Sequence, residues 1–399
     1  MSTSTVVIVG AGQAGCTVAL RLRKYGYGGR ILLFGEEGAL PYERPPLSKG
    51  FLASGDVPLS PICAAAGWDA ANVELHLGER VERLDTDARR IASSKGAYGY
   101  DYLVLATGSR VNRLGDGIGD GVHYLRTEQD ARAIRSAGAR SAVALGAGVI
   151  GMELAATLAA GGAAVTVVAP EHWPMARILP EPAGRHLAEL HSAAGVQLAF
   201  GESLAGLHRR GAAMHIGLAS GRELSADIVV AGLGVRLNTE LAQAAGIATG
   251  RGIHTDAFGK TSAEGVFAAG EVAQWFHPFY GVQVVFENWT HAIAHGDLVA
   301  KVISGQPAQP YEELPWMWSD QHGHNIQVLG QPEPGLAWVL RDYGDGQKVW
   351  FGIDAVRGLR MVAAFNRGRD IRPCKRLCQE SRALGPAALA DPAVELRLM

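Results

Sequence analysis

Cysteine is scarce in this chain, with four residues among 399 (Cys16, Cys63, Cys374 and Cys378) and no C-x-x-C pair. That excludes a disulfide scaffold and a thioredoxin-type motif, and makes reduced thiols in a cytoplasm the plain expectation. An excess of one charge is also lacking. The 37 Lys and Arg against 39 Asp and Glu give a formal net charge of -2, so composition offers no case for a nucleic-acid or membrane partner. No long apolar run is present either. Ser141 to Pro170 comes nearest, being almost all small or apolar, but glycines interrupt it and Glu153 sits near its centre. A buried parallel strand, a glycine turn and a packed helix account for it better than a membrane span. The opening Met1-Ser2-Thr3-Ser4-Thr5 has no basic region ahead of an apolar core, so no secretory signal is expected. No metal site is expected.

What the chain has in quantity is glycine, 52 residues, within an ordinary soluble composition of 48% hydrophobic and 19% charged residues. The length predicts two or three domains. The apolar strand Val6-Val7-Ile8-Val9 runs straight into Gly10-Ala11-Gly12-Gln13-Ala14-Gly15. In that G-x-G-x-x-G spacing the first glycine permits a tight turn, the second lets backbone approach a pyrophosphate, and the third lets the helix pack on the strand. The pyrophosphate would sit on the N-terminus of the helix (Cys16 to about Lys24), where unpaired N–H groups and the dipole favour an anion. A second strand, Ile31-Leu32-Leu33-Phe34, is followed by Gly35 and Glu36, a carboxylate at the distance suited to a ribose hydroxyl.

The motif recurs. Val6 to Leu20 is echoed by Ala142 to Ala156, with Gly146, Gly148 and Gly151 in the same spacing, which predicts two nucleotide-binding domains in one chain. Between them Pro41 to Lys49 is too proline-rich for a helix or inner strand and is expected as a fixed loop carrying Arg44 and Lys49. A β-rich stretch at about 73–100 leads to the strand Tyr102–Ala106 and the turn Thr107-Gly108, where backbone can approach a cofactor. Strands at Ala164–Val168 and Asp227–Gly234 belong to the second domain. Gly265–Glu271 has the same strand-to-glycine form and is expected to return to the first. From about Glu313 a smaller α+β domain is expected. Near its end Arg367, Arg369, Arg372, Lys375, Arg376 and Arg382 stand against only Asp370 and Glu380, a basic face that would steer an acidic partner unless it is merely a solvated helix.

These motifs together resemble the FAD-dependent NAD(P)H:ferredoxin reductases of bacterial P450 and Rieske oxygenase systems. The resemblance rests on the first glycine loop, PYERPPLSK (41–49), YLVLATGS (102–109), LRT (125–127), GAGVIGMELA (146–155), VFAAGE (266–271) and PWMWSDQ (315–321), and covers nearly the whole chain. It implies an α/β fold of the glutathione-reductase-like, two-dinucleotide kind. FAD would occupy a discontinuous Rossmann-like domain at 1–113 and 238–312, NADH a second at 114–237, with a C-terminal α+β domain at 313–399. It implies FAD contacts from Arg44, Lys49, Thr107, Gly108, Arg126, Gly270 and Glu271, with Lys49 near the isoalloxazine and Trp318 covering the ring system. Glu153 would lie where nicotinamide meets flavin, and Gly234 would belong to the second nucleotide site. The implied partner is an acidic two-iron, two-sulfur ferredoxin, the implied acceptor of single electrons, and the protein a monomer or homodimer. No C-x-x-x-x-C disulfide stands at 45–49, so dithiol chemistry is not expected.

Two positions depart from the family pattern. Glu271 replaces an aspartate that holds the FAD ribityl chain, which predicts weaker but retained FAD binding. Ala169 replaces the acid that ends the second-domain strand, leaving Glu171 for the NADH ribose, or His172 and Arg177 for the 2′-phosphate of NADPH. Plainer readings stand beside these: Lys49 as a solvated surface lysine, Glu153 as a helix cap, Trp316 and Trp318 as core aromatics, Cys374 and Cys378 as packing on one helix face. The rival functions are a flavoprotein-like redox sensor with poor turnover, and an NADH oxidase or quinone reductase without a protein partner.

Overall fold

The structure, a computed structural model, describes residues 4–55, 57–115, 121–381 and 383–399. The chain divides into two compact units, one of Met1–Glu43, Leu59–Arg110 and Val235–Glu313, the other of Arg44–Pro58, Val111–Gly234 and Leu314–Met399.

The first unit is built on a five-stranded parallel sheet whose central strand is Thr5–Val9. Arg30–Gly35 and Glu74–Leu77 follow on one side, Tyr102–Leu105 and Val266–Ala268 on the other. The unbroken apolar run at 6–9 reflects burial on both faces, as a sheet covered by connections on each side requires. Alternate residues serve different cores. Val6, Ile8, Ile31 and Leu33 pack with Val18, Leu22, Val299 and Ile303, while Val7, Val9, Leu32 and Phe34 pack with Leu103, Leu105, Ile253 and Val272. Helices Gln13–Lys24 and Trp289–Ile303 supply the first of these layers. They approach closely at Gly296, where a Cβ would stand 2.9 Å from the Ala14 carbonyl oxygen. Three short strands at 81–99 and three at 253–284 form separate small sheets. The β-rich stretch at 73–100 and the return of 266–268 to the first sheet are thus as the sequence predicts.

The second unit repeats the plan. Its parallel sheet runs Gln197–Phe200, Ala164–Ala169, Ser141–Leu145, Ile228–Ala231, Val122–Tyr124, and helix Val149–Ala160 follows the glycine turn. An antiparallel meander, Leu204–Arg210, Ala213–Leu218 and Glu223–Ala226, lies beside it in sequence. The segment from Trp316 onward forms a five-stranded antiparallel sheet in the order Trp316–Gln321, His324–Leu329, Gly358–Phe365, Lys348–Asp354, Ala337–Asp342. Helix Ile371–Glu380 packs on the fully buried Gly358–Phe365 strand through Cys374, Leu377 and Cys378. Both cysteines are packing residues, and burial raises both thiols, Cys378 to about 12.

The segment 41–49, expected as a fixed loop, contains a 3-10 turn at Pro45–Ser48, and a short helix at Gly50–Ala53 follows it. Proline opens a helical turn readily, because its fixed φ suits the first positions and its missing N–H has no partner there. Among the described residues no helix is long and apolar enough to cross a membrane.

Candidate functional site

Each parallel sheet ends in a glycine cradle. In the first unit Gly10 has φ +115, and a Cβ on it would meet the Ala106 carbonyl oxygen at 2.1 Å. The Ala106-Thr107-Gly108 turn therefore packs directly on the first glycine, which explains why both motifs are needed. A Cβ on Gly15 would meet the Gly10 carbonyl oxygen at 1.9 Å, whereas one on Gly12 would find nothing within 4 Å. Gly12 is the N-cap of helix Gln13–Lys24, and no side chain caps that helix. The space beside Gly12 is open, at a helix end whose first amides have no side-chain cap. It fits a pyrophosphate.

The second unit reproduces these features. A Cβ on Gly146 would meet the Gly232 carbonyl oxygen at 2.5 Å and one on Gly151 the Gly146 carbonyl oxygen at 2.0 Å, while one on Gly148 would find only the Gly232 carbonyl oxygen at 4.0 Å, and Gly148 caps helix Val149–Ala160 without a side-chain bond.

Carboxylates flank the cradles unequally. Glu36 follows the strand Arg30–Gly35 directly, is mostly exposed and stands 3.3 Å from Arg80. In the second unit the last strand residue is the buried Ala169, with half-buried Glu171 two positions on and His172 and Arg177 exposed. Thr107 and Gly108 are fixed by Asn238, which sequence reading did not single out. Thr107 Oγ1 donates to the Asn238 carbonyl at 2.7 Å, Asn238 Nδ2 donates to the Thr107 carbonyl at 2.8 Å, and the Asn238 amide donates to the Gly108 carbonyl. Gly234 lies in the second unit with φ +78.

Gly270 and Glu271 sit in a turn clamped by two histidines one helical turn apart on Trp289–Ile303. His291 Nε2 lies 3.2 Å from the Gly270 carbonyl oxygen, and His295 Nδ1 accepts from the Gly270 amide at 3.2 Å. A carbonyl only accepts, so His291 carries its proton on Nε2, and its Nδ1 accepts from Tyr311 at 2.9 Å. Burial holds both rings neutral, His295 at about 4 and His291 well below the usual histidine range. Glu271 Oε1 accepts from Ser109 at 3.0 Å. The H-x-x-x-H spacing at 291–295 is the signal that sequence reading left unused.

In the second unit Lys49 and Glu153 form an ion pair at 2.7 Å, with the lysine largely and the glutamate almost wholly buried. Ser48 Oγ donates to Glu153 Oε2, and Ser319 Oγ donates to Glu153 Oε1 at 2.6 Å. Thr157 Oγ1 donates to the Ser48 carbonyl at 2.6 Å. The solvated-lysine and helix-cap readings both fail: Glu153 is the fifth residue of its helix and reaches sideways to Ser48, Lys49 and Ser319. Arg44 Nη1 donates to the Arg126 carbonyl. Trp318 is half-buried and stacks on Trp316 at 5.8 Å. On strand Trp316–Gln321 the two tryptophans alternate with Ser319, so they occupy the other face.

The basic face needs correction. Arg367 is buried, bonding Asp370 at 2.8 Å and lying over the Tyr343 ring, so it belongs to the core of its domain. Arg376 bonds Glu380 and the Arg397 carbonyl. Arg369 and Arg372 are exposed, Lys375 half-buried, and Arg382 lies outside the described residues. Counting charges missed that the Asp370 carboxylate folds its arginine inward.

Two cradles open to anions define a protein built to hold two dinucleotides. The chain belongs to the pyridine nucleotide-disulphide oxidoreductase family, whose description matches residues 4–296, with a "Reductase C-terminal" match over 316–399. It is 39% identical over 405 residues to the anthranilate 1,2-dioxygenase system ferredoxin–NAD(+) reductase component of Burkholderia cepacia, covering 100% of this chain and 99% of that one. It is 35% identical to the p-cumate 2,3-dioxygenase system ferredoxin–NAD(+) reductase component of Pseudomonas putida, covering 99% and 98%. Its fold matches the reductase of a covalent putidaredoxin reductase–putidaredoxin complex with a TM-score of 0.94 and 30% identity, covering 100% and 98%. All four cysteines are free thiols, so the disulphide in the family's name has no counterpart here.

Proposed function

We propose that this chain is an FAD-dependent NADH:ferredoxin oxidoreductase serving an oxygenase. The observation that carries the reading is the pair of side-chain-uncapped glycine cradles, one in each unit. When bound, FAD supplies hydride acceptance from the nicotinamide and release of electrons one at a time to an iron–sulfur protein. In the proposed division FAD belongs to 1–113 and 238–312, NADH to 114–237, with 313–399 as the C-terminal domain. Gly10, Gly12 and Gly15 take the FAD pyrophosphate, Glu36 the adenosine ribose, Thr107 and Gly108 approach by backbone, and Gly270 and Glu271 take the ribityl chain. Gly146, Gly148 and Gly151 take the NADH pyrophosphate, Glu171 the ribose, with Gly234 in the same site. Arg44, Lys49, Arg126 and Trp318 take the roles at FAD that the family resemblance gives them. Lys49 supplies a cation where negative charge grows on reduction, and Glu153 orients it. NADH is preferred over NADPH because Glu171 would repel a 2′-phosphate, and a 2′-phosphate site normally shows a clearer basic cluster after the strand than His172 and Arg177 provide.

The partner is proposed to be a ferredoxin, as the putidaredoxin complex of a relative suggests, and the family resemblance makes it an acidic two-iron, two-sulfur one. The protein is proposed to act in the cytoplasm, as monomer or homodimer. The test is a visible spectrum of purified protein. A flavin band that NADH bleaches, and that a ferredoxin from the same source restores, is the expected result. Protein that takes up no FAD on reconstitution refutes the reading. Flavin that NADH reduces but no such ferredoxin reoxidises favours the sensor or the oxidase.

A further inference from the structure

The second unit holds a row of buried polar side chains leading away from the Lys49–Glu153 pair. Ser319 Oγ lies 2.6 Å from Glu153 Oε1, Gln321 Nε2 lies 2.9 Å from Ser319 Oγ, His191 Nε2 lies 2.7 Å from Gln321 Oε1, and His322 Nε2 lies 3.1 Å from His191 Nδ1. Glu153, Ser319, Gln321 and His191 each expose 2% or less, while His322 is half-exposed. Polar side chains at that depth weaken a core unless each is bonded, so packing alone does not select four in a row.

Donors and acceptors fix the direction of the row. Glu153, ion-paired to Lys49, only accepts, so the Ser319 hydroxyl donates to it. Ser319 then presents lone pairs to Gln321, which must face it with the amide nitrogen and face His191 with the oxygen. His191 therefore carries its proton on Nε2, consistent with burial lowering it to about 4, and its Nδ1 accepts from His322. Every hydrogen bond of the row points toward the carboxylate, and Gln321 Nε2 gives its second hydrogen to Met175 Sδ at 3.7 Å. An amide transmits orientation and does not pass a proton, so the row is not a proton wire. Aligned hydrogen bonds polarise one another in a low dielectric.

We propose that Gln321 and His191 are positioning residues for the Lys49–Glu153 pair, acting through Ser319 to hold the Glu153 carboxylate at one setting against the lysine. The proposal rests on the reading above that this pair serves hydride transfer. It also gives a purpose to the S-x-Q alternation of PWMWSDQ, which puts Ser319 and Gln321 on the strand face opposite Trp318.

The test uses the FAD-loaded protein, with flavin reduction by NADH followed by rapid mixing. Gln321→Leu and Ser319→Ala are each expected to slow the limiting reduction rate about three- to tenfold, with the half-saturating NADH concentration unchanged. The double variant is expected to lose no more than Ser319→Ala alone, because Gln321 acts only through Ser319. In FAD-free protein the same cycle, read by urea midpoints, is expected to be non-additive as well. His191→Gln keeps a donor toward Gln321 and an acceptor toward His322, so it is expected to hold the parent's rate where His191→Phe loses it. Parent-like reduction in Gln321→Leu, or losses that multiply in the double variant, overturns the proposal. Should Gln321→Leu not fold, equal rates in His191→Gln and His191→Phe overturn it. If NADH fails to bleach the parent's flavin, the reductase reading itself is at fault. If the parent bleaches and the variants match it, only the positioning role falls.

Discussion

Placing one methyl group in the second cradle separates binding from folding. Gly148 has φ -72 and ψ -179, angles alanine adopts freely, and a Cβ there would find only the Gly232 carbonyl oxygen at 4.0 Å. Alanine caps a helix less well than glycine, but it also narrows the unfolded ensemble. The two effects, each about 0.5–1 kcal/mol, oppose each other, so Gly148→Ala is expected to melt within about 2 °C of the parent. The methyl would nevertheless project into the space proposed for a pyrophosphate. NADH is expected to bind at least about tenfold more weakly, or about 1.4 kcal/mol. Gly151→Ala is the opposite case, since its Cβ would lie 2.0 Å from the Gly146 carbonyl oxygen. Backbone cannot swing aside as a side-chain tip does, so the helix must shift. A loss of about 3 kcal/mol follows from such overpacking, which lowers the melting temperature by roughly 6–12 °C in a domain of this size. The assay pairs thermal melting with titration of NADH against flavin bleaching. Parent-like NADH binding in Gly148→Ala, or parent-like melting in Gly151→Ala, refutes the reasoning.

Four further outcomes are expected. Glu271→Asp should tighten FAD or leave it unchanged if Glu271 occupies an aspartate's place; marked loss of FAD in a fluorescence titration would show instead that the turn clamped by His291 and His295 is fitted to the glutamate. Acid should destabilise the fold between about pH 6.5 and 4. His191 and His295 sit near 4 when folded and near 6.5 when unfolded, so the unfolded chain binds more protons in that window and each ring forfeits up to roughly 3 kcal/mol as pH falls through it; urea midpoints that stay flat over that range contradict this. Arg372→Glu should slow ferredoxin reduction and flatten its dependence on salt, with flavin reduction by NADH unchanged, whereas Arg367→Ala should lower stability by about 3 kcal/mol, since it strands the buried Asp370; the reverse pattern would return Arg367 to the surface.

What the sequence disclosed was local. The tight turn at Gly10 and the helix packing at Gly15 are as the sequence predicts, because each constrains one position within six residues and a Cβ at either would strike backbone. The repeat at 146–151 adds a second copy of the same constraint. The Ser319–Glu153 bond was not legible, because the two residues meet only when separate elements fold together, and a serine on a strand carries no mark of its partner. Parity along 316–321 hints at it, since Ser319 and Gln321 share a face that a simple outer strand would leave to solvent. Arg367 shows the reverse failure. Its charge is plain in the sequence, but the short span to Asp370 turns it inward, and a tally of cations has no access to direction.

The first unit's sheet has a temporal consequence. Its edge strand Val266–Ala268 pairs with Tyr102–Leu105, so during synthesis the earlier strand emerges long before its neighbour exists. At about 5–20 residues per second it waits on the order of ten to thirty seconds. Until then one side of an apolar parallel strand is unpaired, the condition under which chains associate wrongly. The second unit's parallel sheet draws its strands from 122–231 and can close while the first is incomplete. Nascent chains halted after residue 260 should therefore resist protease across 122–231 but not across 5–105. Equal protection of both would show that the first sheet holds without its last strand.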